Sequence, residues 1–453
     1  MKRLLFNLDP ITIIFSILVI GQSYLRTQNK VVGYYPSWVQ KDFTVNDIDL
    51  ETFTHVIHAF AWPNKDGTLS TYSEMIDPSI NTTIHEKGRK ILIAIGGWGN
   101  SDEFSPILSD SLKRITFISN IISFLETNQY DGVDIDWEFP SSESDRKNLS
   151  IFINDLRSAM DDTGEYYLLS MAISSGSWSG QWFEYDELSK YLDWFGVMTY
   201  DYHGSWTNHA GHNSPMYSPN NCSDGSINSS LEYLIKERNI PPSKIILGIP
   251  FYGKEFNASG VYKIQAGNVT DLRFNSIPIQ NLEWTHYWDN YSKVPYLINN
   301  NSTKIITYDD SLSVHIKTQE SIKQNLSGIM VWAIGYDVKN GIQPLVDSIK
   351  NSLLKVSIES KESINDEFRL YKNYPNPFNG STTIVFKTPT NSFFSLEIVD
   401  INGHLVEAII PKNSSQRPNS VTWKPKNTPS GIYFAFLRSE KQTITKKMGR
   451  LNQ

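Results

Sequence analysis

The stretch from Asp131 to Glu138 reads DGVDIDWE and places four acidic side chains within eight residues. In an extended strand, successive side chains point to opposite faces, so Asp134, Asp136 and Glu138 would share one face and the apolar residues the other. On a solvated strand, three like charges two residues apart would repel each other without compensation. The pattern therefore favours an inner strand of a closed barrel, with its apolar face beneath an outer helix and its acidic face near a polar rim.

Carboxyl groups packed this closely cannot all ionise, so some of them are expected to hold a proton at neutral pH. The last of them, Glu138, suits a general acid that delivers a proton to a leaving oxygen, while the two aspartates behind it take up and pass on charge. Glycoside hydrolysis is the reaction class that fits best. Magnesium or calcium binding is the alternative, but calcium loops need Gly-rich turns where this stretch has strand formers.

Short apolar runs alternate with helical patterns from Lys30 onward, which is typical of strand–helix units around a parallel sheet. Eight such units predict a (β/α)8 TIM barrel with its active site at the C-terminal ends of the strands. The acidic stretch is the fourth strand, and Glu138 lies at its C-terminal end. The predicted strands are Val31–Tyr35, His55–Ala61, Lys90–Ile95, Gly132–Phe139, Tyr167–Ser174, Trp194–Tyr200, Lys244–Phe251 and Gly328–Ile334.

Helical patterns fill the gaps between these strands. The gap between the seventh and eighth strands, about residues 252–310, is too long for one crossover and predicts an insertion. Its Trp284, Tyr287 and Trp288 are expected to wall one side of a cleft. The predicted helices are Asp77–Gly88, Asp110–Asn128, Ser144–Met160, Gln181–Tyr191, Ile227–Asn239, Ser311–Asn325 and Asp337–Leu354.

The acidic stretch resembles the signature DGxDxDWE of the family 18 glycoside hydrolases, the chitinase type. The resemblance runs from about Lys30 to Lys350 and implies a TIM barrel with a small α+β insertion between strands 7 and 8. Three further motifs resemble the same family, namely Gly96-Gly97-Trp98 after the third strand, Met198-Thr199-Tyr200-Asp201 at the sixth and Met330-Val331-Trp332 at the eighth.

The resemblance also implies a mechanism. Glu138 would protonate the glycosidic oxygen and then act as base toward water. Asp136 would hold the substrate's own acetamido group for attack on the anomeric carbon, and Tyr200 would help to stabilise the oxazolinium intermediate. Asp134 would exchange a proton with Asp136. Net retention at the anomeric carbon and a chitin-type substrate follow from this resemblance, with no metal or cofactor required.

Substrate contacts are implied in the same way. Trp98 would stand beside the cleavage point, Asp201 would contact the N-acetyl group, and Trp332 would form the floor beneath the distorted sugar, although a core position is the alternative for Trp332. Where the family commonly has Arg, this chain has Lys254, which keeps the charge but loses the planar fork. Further candidates for substrate binding are Tyr34, Phe60, Met198, Trp206 and Tyr252.

Both ends of the chain resemble export signals. Lys2 and Arg3, an apolar run from Ile11 to Ile20 and a small-residue pattern near Gly21 resemble a secretory signal peptide, predicted over residues 1–23. The catalytic barrel is predicted over residues 24–354. Residues 355–370 are rich in Ser, Glu, Lys and Asn and are predicted to be a linker.

Residues 371–453 are predicted to form an all-β sandwich, because strand-like runs alternate with Asn-Gly and Pro-rich turns. The segments YPNPFN from Tyr374, ING from Ile401 and GIY from Gly431 resemble the C-terminal sorting domain of the type IX secretion system. This implies a Gram-negative cell that exports the protein through the periplasm and that machinery, to be secreted or attached to the cell surface. A carbohydrate-binding module is the alternative, with Trp423 as a poor stacking platform. The predicted strands are Thr382–Lys387, Ser395–Val399, His404–Ile410, Ser420–Lys424 and Ile432–Arg438.

The composition of the chain limits the classes of molecule that it is expected to bind. A net charge of −7 without a basic run argues against nucleic acid and is compatible with a neutral polymer. The single Cys222 excludes an internal disulfide and is expected to be incidental rather than a nucleophile. A monomer that binds chitin or chitooligosaccharides is expected.

Two other functions remain open. A non-catalytic chitin-binding lectin of this type would lack the terminal acid that stands here as Glu138. An endo-β-N-acetylglucosaminidase acting on glycoprotein glycans shares the strand signature but would not need the long aromatic insertion.

Overall fold

The computed structural model describes residues 29–219, 224–359, 369–388, 394–401, 403–410, 420–426, 428–439 and 443–451. The predictions for the signal peptide, for Cys222 and for most of the linker fall outside these residues. By its internal contacts the chain divides after Leu354 into two compact units.

The first unit is built on a closed barrel of eight parallel strands, as predicted. The strands follow one another around the sheet in chain order, and β1 pairs with both β2 and β14, which closes the ring. Strands β3 and β9 to β13 lie outside the ring. The strands of this unit are β1 Lys30–Pro36, β2 His55–Pro63, β3 Leu69–Thr71, β4 Lys90–Gly96, β5 Gly132–Asp136, β6 Leu168–Ser174, β7 Trp194–Met198, β8 Ile245–Pro250, β9 Tyr252–Phe256, β10 Thr270–Arg273, β11 Trp284–Asp289, β12 Val294–Asn299, β13 Ile305–Thr307 and β14 Gly328–Trp332.

The barrel strands are almost entirely buried because the apolar side chains on their outer faces pack beneath helices. Polar side chains begin the longer helices: Asp110 accepts hydrogen bonds from two backbone amides of α3, and Asp310 does the same for α8. The helices are α1 Pro78–Glu86, α2 Phe104–Leu108, α3 Ser111–Asn128, α4 Glu143–Asp162, α5 Ser177–Gly180, α6 Tyr185–Leu188, α7 Ile227–Glu232, α8 Ser311–Lys323 and α9 Pro344–Glu359.

Three predicted helices differ in extent from the structure. The helix predicted over Ile227–Asn239 is α-helical only to Glu232 and continues as a π-helical turn over Tyr233–Glu237. The helix predicted over Gln181–Tyr191 is only the four-residue α6, because the carbonyl of Phe183 accepts a hydrogen bond from Arg238 rather than from a helical amide. The helix predicted over Asp337–Leu354 begins at Pro344 instead. The side chain of Asp337 accepts hydrogen bonds from the first amides after that proline and fixes the later start.

The insertion between β8 and α8 is a five-stranded antiparallel sheet in the order β10-β9-β13-β12-β11. Its helical part, among the residues described, is a single 3-10 turn at Phe274–Ser276. The predicted α+β insertion is therefore almost all β. Tyr287 stacks on Tyr296 within this sheet, and Trp284 packs against the barrel core.

The second unit is all β, as predicted. Two antiparallel sheets, β15-β16-β19 and β18-β17-β20-β21, contribute to one apolar core. Trp423 is fully buried there and donates a hydrogen bond to Glu407, so its ring is not a surface platform. The strands are β15 Arg369–Leu370, β16 Thr382–Lys387, β17 Phe394–Asp400, β18 Leu405–Ile410, β19 Ser420–Trp423, β20 Gly431–Ser439 and β21 Thr443–Arg450.

None of the helices that the structure describes is both long enough and apolar enough to cross a membrane.

Candidate active site

The acidic strand has the two faces that its sequence predicted. β5 ends at Asp136, two residues before Glu138. Asp134 points into the barrel, since it accepts a hydrogen bond from Tyr34 on β1. Trp137 points the other way and stacks on Phe104 of α2, with ring centroids 5.4 Å apart and planes at 14°. The acids therefore lie inside the barrel and the apolar set lies under the helices.

Asp134 is fully buried and both of its carboxyl oxygens have a donor. Tyr34 donates to Oδ2 at 2.7 Å and Ser170 of β6 donates to Oδ1 at 2.6 Å. Burial raises the pKa of Asp134 to about 6, although the two hydrogen bonds oppose that rise. The group can thus exchange a proton near neutral pH.

Asp136 lies in the centre of the acidic set, is only 4% exposed, and its Oδ1 has no hydrogen-bond partner. Burial raises the pKa of Asp136 well above its ordinary value, and the charges of Glu138 and Asp134 raise it further. A buried carboxyl oxygen without a donor is costly unless a ligand supplies one. Asp136 is therefore suited to accept a hydrogen bond from a substrate amide.

Glu138 stands at the carboxyl end of the strand, where it is partly exposed. Its backbone amide donates a 3.0 Å hydrogen bond to Ser101, which fixes the residue's position. Burial and then repulsion by Asp201 raise the pKa of Glu138 to about 7, while a hydrogen bond from the Trp98 backbone lowers it. A carboxyl group with this pKa can serve as an acid and then as a base at neutral pH.

The turn after β4 lies directly against this strand. Gly96 has φ +114°, and a Cβ there would meet the Asp136 carbonyl oxygen, so a larger residue could not approach as closely. The Gly97 amide donates a 2.7 Å hydrogen bond to that same carbonyl. The turn leaves Trp98 with 79% of its surface exposed beside Glu138.

Tyr200 and Asp201 follow β7 and face the acids from the other side. Burial, followed by the charge of Asp136, raises the pKa of Tyr200 well above its ordinary value, so its hydroxyl stays a donor. Asp201 adopts φ +59° and accepts a 2.6 Å hydrogen bond from Tyr252. The rings of Tyr200 and Tyr252 meet edge to face at 6.0 Å.

Lys254 is 3% exposed and makes two ion pairs. Its Nζ lies 2.9 Å from Asp201 and 2.7 Å from Asp271. The same cation lies 5.4 Å from the ring centroid of Trp206, a side chain that is 64% exposed. A compact ammonium group thus joins two carboxylates that approach it from different directions.

Trp332, at the end of β14, lies in a cluster of aromatic rings. The centroids of Tyr34, Phe60 and Trp38 lie 5.5, 5.6 and 6.2 Å from that of Trp332. The ring is partly exposed rather than buried in the core. Such a group of aromatic faces suits the apolar faces of a sugar.

The structure brings the predicted site residues to the carboxyl ends of the strands, and Met198 ends β7 among them. Their catalytic and binding roles stay predictions. Sequence reasoning missed Ser170, Ser101 and Asp271. Of these, Ser170 had a signal, because it is the polar residue inside the otherwise apolar run LLSMAIS.

A group with the spacing of metal ligands occurs, among the described residues, at His203, His209 and Asp224. It follows Asp201 in the loop after β7 and does not include the acids of β5.

A closed (β/α)8 barrel with buried acids of raised pKa at its carboxyl rim is the architecture of a barrel glycoside hydrolase. Residues 30–337 match the model of the glycosyl hydrolases family 18, and the chain belongs to that family. Residues 372–449 match the secretion system C-terminal sorting domain. Both resemblances inferred from sequence are confirmed, and the sorting domain indicates secretion or cell-surface attachment by the type IX system.

Similar proteins include two curated relatives. Chitinase A1 from Niallia circulans is 28% identical over 400 residues, which cover 69% of this chain and 57% of that protein. Probable chitinase 2 from Drosophila melanogaster is 29% identical over 381 residues, which cover 74% of this chain and 77% of that protein.

Among solved structures, the Ostrinia furnacalis Group IV chitinase is similar with a TM-score of 0.68 at 28% identity. The match covers 72% of this chain and 100% of that one. The same chitinase has also been solved in complex with allosamidin.

Proposed function

We propose that the barrel hydrolyses the β-1,4 linkages between N-acetylglucosamine units of chitin by a substrate-assisted, retaining mechanism. The observation that carries the proposal is the unpartnered, buried Oδ1 of Asp136 between Asp134 and Glu138. An acetamido N–H is a donor that can satisfy this oxygen, and few other sugar substituents offer one at the carbon next to the reacting centre. The names of the similar chitinases support the same substrate.

In the first step, Glu138 donates its proton to the glycosidic oxygen as the bond to the anomeric carbon breaks. Asp136 accepts a hydrogen bond from the acetamido N–H, which orients the carbonyl oxygen for attack on that carbon. The product is a cyclic oxazolinium ion, and the leaving sugar departs as an alcohol. Tyr200 donates its hydroxyl proton toward the acetamido group and helps to hold it.

In the second step, Glu138, now ionised, removes a proton from a water that attacks the anomeric carbon. The ring reopens, the acetamido group is restored and Glu138 regains its proton. Two inversions at one carbon give net retention. Asp134, with its pKa raised to about 6, can exchange a proton with Asp136 while the charge on the acetamido group changes.

Around the reacting sugar, we assign the floor to Trp332 with Tyr34 and Phe60, and the exposed walls to Trp98 and Trp206. A second set, assigned to the N-acetyl side of the sugar, comprises Met198, Asp201 and Tyr252.

The test is NMR of fresh products from chitin hexamer with the full chain. The β-anomer should form first, and Glu138→Gln should bind the hexamer but lose activity by at least about 10²-fold, as expected for loss of a general acid–base. Glu126→Gln, an exposed glutamate of α3, is the matched control and should stay active. An initial α-anomer would contradict substrate assistance.

The same assay separates the other functions. Binding of the hexamer without cleavage by the wild-type chain would indicate a lectin. Cleavage of a high-mannose glycopeptide but not of the hexamer would indicate an endo-β-N-acetylglucosaminidase.

For export, we infer a signal peptide over residues 1–23, a barrel domain over 24–354, a linker over 355–370 and a sorting domain over 371–453. The route would run through the periplasm of a Gram-negative cell to the type IX machinery, and the mature enzyme would be a monomer. Deletion of residues 371–453 should leave the protein in the periplasm, which fractionation with an immunoblot would detect.

A further inference from the structure

Three metal-ligating side chains meet in the loops beside the cleft, apart from the acids of β5. His209 Nε2 lies 2.8 Å from Asp224 Oδ2, and His203 Nε2 lies 3.0 Å from that same oxygen. The approach of His203 is not that of a hydrogen bond, and its Nε2 has no hydrogen-bond partner although the residue is only 1% exposed. A buried ring nitrogen thus points into the cluster without a partner of its own.

The outer ring nitrogens determine which atoms carry protons. His203 Nδ1 lies 2.9 Å from the backbone carbonyl of His212, which can only accept, so Nδ1 must carry the hydrogen. His209 Nδ1 lies 2.8 Å from the side-chain oxygen of Asn208, and its Nε2 makes a 2.8 Å hydrogen bond with Asp224 Oδ2. In its neutral ring, His203 Nε2 therefore presents a lone pair toward the Asp224 carboxylate. Metal-binding histidines are oriented in this way by a carbonyl or carboxylate on the outer nitrogen.

The lone pair of His203 Nε2 and the Asp224 oxygen 3.0 Å away need an acceptor between them. A proton on one imidazole is one solution. A cation is the other solution. The three ligand atoms lie within 4.8 Å of one another, whereas the ligands of a tetrahedral zinc ion lie roughly 3.3 Å apart. The contacts of 2.8 and 3.0 Å to Asp224 would have to lengthen by a few tenths of an ångström to accommodate the ion.

We propose that His203, His209 and Asp224 form a zinc site that fixes the loops on one side of the substrate cleft. Two imidazole nitrogens and one carboxylate oxygen suit Zn²⁺ better than Mg²⁺ or Ca²⁺, which prefer sets of oxygen ligands. The partial exposure of His209 and Asp224, 25% and 17% of their side chains, leaves room for a water as the fourth ligand.

The site would join segments that the fold brings together from three places. His203 follows Asp201 by two residues and precedes Trp206 by three, so it belongs to the loop that contributes to the cleft. The next segment pairs with the insertion, because the Ala210 amide donates to the Lys263 carbonyl at 2.9 Å. Asp224 is held by Ser218, which donates to its backbone carbonyl at 2.6 Å. Zinc would therefore stabilise the loop rather than take part in bond cleavage.

The experiment is a calorimetric titration of the full chain with Zn²⁺ after treatment with a chelator and dialysis, together with thermal melting. One Zn²⁺ should bind per chain and raise the melting temperature. His209→Ala and Asp224→Asn should each weaken binding by at least about tenfold and abolish the rise in melting temperature. Both positions are partly exposed, so these variants should fold, which far-UV circular dichroism would verify.

His85→Ala is the matched control. His85 Nε2 also lies 2.8 Å from an aspartate oxygen, that of Asp131, but this pair is not part of a three-ligand group. It should bind zinc as the wild-type chain does. Absence of stoichiometric zinc binding by the wild-type chain would overturn the proposal and leave a protonated histidine–aspartate cluster. Binding that is equal in His209→Ala and the wild type would also overturn it.

Discussion

Tyr34, on the first strand of the barrel, donates a 2.7 Å hydrogen bond to Asp134 on the fourth strand, 100 positions along the chain. Ser170 satisfies the other oxygen of Asp134 from the neighbouring strand. Asp136, two residues further on, keeps one buried oxygen without a donor. The barrel therefore fixes Asp134 by two hydrogen bonds and leaves Asp136 with a free acceptor oxygen. The proposed mechanism needs this difference between the two aspartates.

Tyr34→Phe should shift the acidic limb of the kcat/KM profile to higher pH. Hydrogen bonds to the ionised form lower the pKa of a carboxyl group, so loss of the tyrosine donor raises the pKa of Asp134 further. We also expect kcat to fall by about tenfold, because a hydrogen bond to a charged group contributes roughly 1.5–3 kcal/mol.

The matched control for that variant is Tyr35→Phe. Tyr35 is equally buried, but its hydroxyl donates to the Phe43 carbonyl at 2.7 Å instead of to an acid. Its loss should reduce stability without moving the pH profile. Equal shifts in the two profiles would mean that the Tyr34 contact has no specific part in proton exchange.

A second prediction concerns the acetamido group of the substrate. A hexamer of glucosamine, which lacks the acetyl groups, should be hydrolysed more slowly than the chitin hexamer by roughly 10³-fold or more, because the intramolecular nucleophile is absent. Binding of both hexamers to Glu138→Gln should be measured in parallel, so that weaker binding is not mistaken for a slower reaction. Similar kcat values for the two substrates would exclude attack by the acetamido group.

Glu138→Gln should make the protein more stable at pH 8 while it removes activity. The folded state raises the pKa of Glu138 to about 7 from an ordinary value of 4.5, so the folded protein binds more protons than the unfolded chain between these values. Stability therefore falls as pH rises from about 4.5 to about 7, where the buried carboxyl ionises. A glutamine at this position does not ionise, so the variant does not lose stability over this pH range.

The gain in the free energy of unfolding at pH 8 should be about 1–2 kcal/mol, less than the full shift implies, since this carboxyl is partly exposed. At pH 4, where Glu138 is protonated in both states, the difference between variant and wild type should largely vanish. Chemical denaturation at the two pH values measures both quantities. A variant that is less stable at pH 8 would show that Glu138 is not held under electrostatic strain.

Much of the fold could be predicted from the sequence, because both faces of a parallel barrel strand are buried and the strands read as continuous apolar runs. The final strand β21, Thr443–Arg450, was missed. Its ladder partner is β20, at the edge of the sheet, and its Lys446 and Lys447 hide the apolar alternation. The helix predicted over Gln181–Tyr191 failed because Arg238, distant in sequence, takes up the carbonyl of Phe183.

At the site, the DGVDIDWE motif predicted the acidic residues but not the side chains that contact them. From the sequence alone, Lys254 could be identified only as a lysine where a planar arginine is expected. Its ion pair with Asp271 arises because β9 and β10 pair with Asp271 opposite Lys254, a register that depends on the folded insertion. Contacts of this kind follow from tertiary structure and have no local signal in the sequence.

Lys254→Met should move the alkaline limb of the pH profile upward. Asp201 raises the pKa of Glu138 by repulsion, and the Lys254 cation, 2.9 Å from Asp201, offsets part of that negative charge. Without the cation, Glu138 should hold its proton to higher pH. Lys304→Met removes a lysine of the same insertion that pairs with Glu255 at 2.6 Å, and it should leave the limb in place.

Trp98→Ala should raise KM for chitin hexamer with little change in kcat. The ring is 79% exposed beside Glu138, so it can bind a sugar without supporting the core, and loss of one aromatic contact should weaken binding by about fivefold to tenfold. Tyr166→Ala is the matched control, since this ring is 76% exposed but precedes β6 at the opposite end of the barrel. Initial rates over a range of hexamer concentrations separate the two parameters. A fall in kcat alone would mean that the Trp98 ring orients the reacting bond and does not hold the sugar.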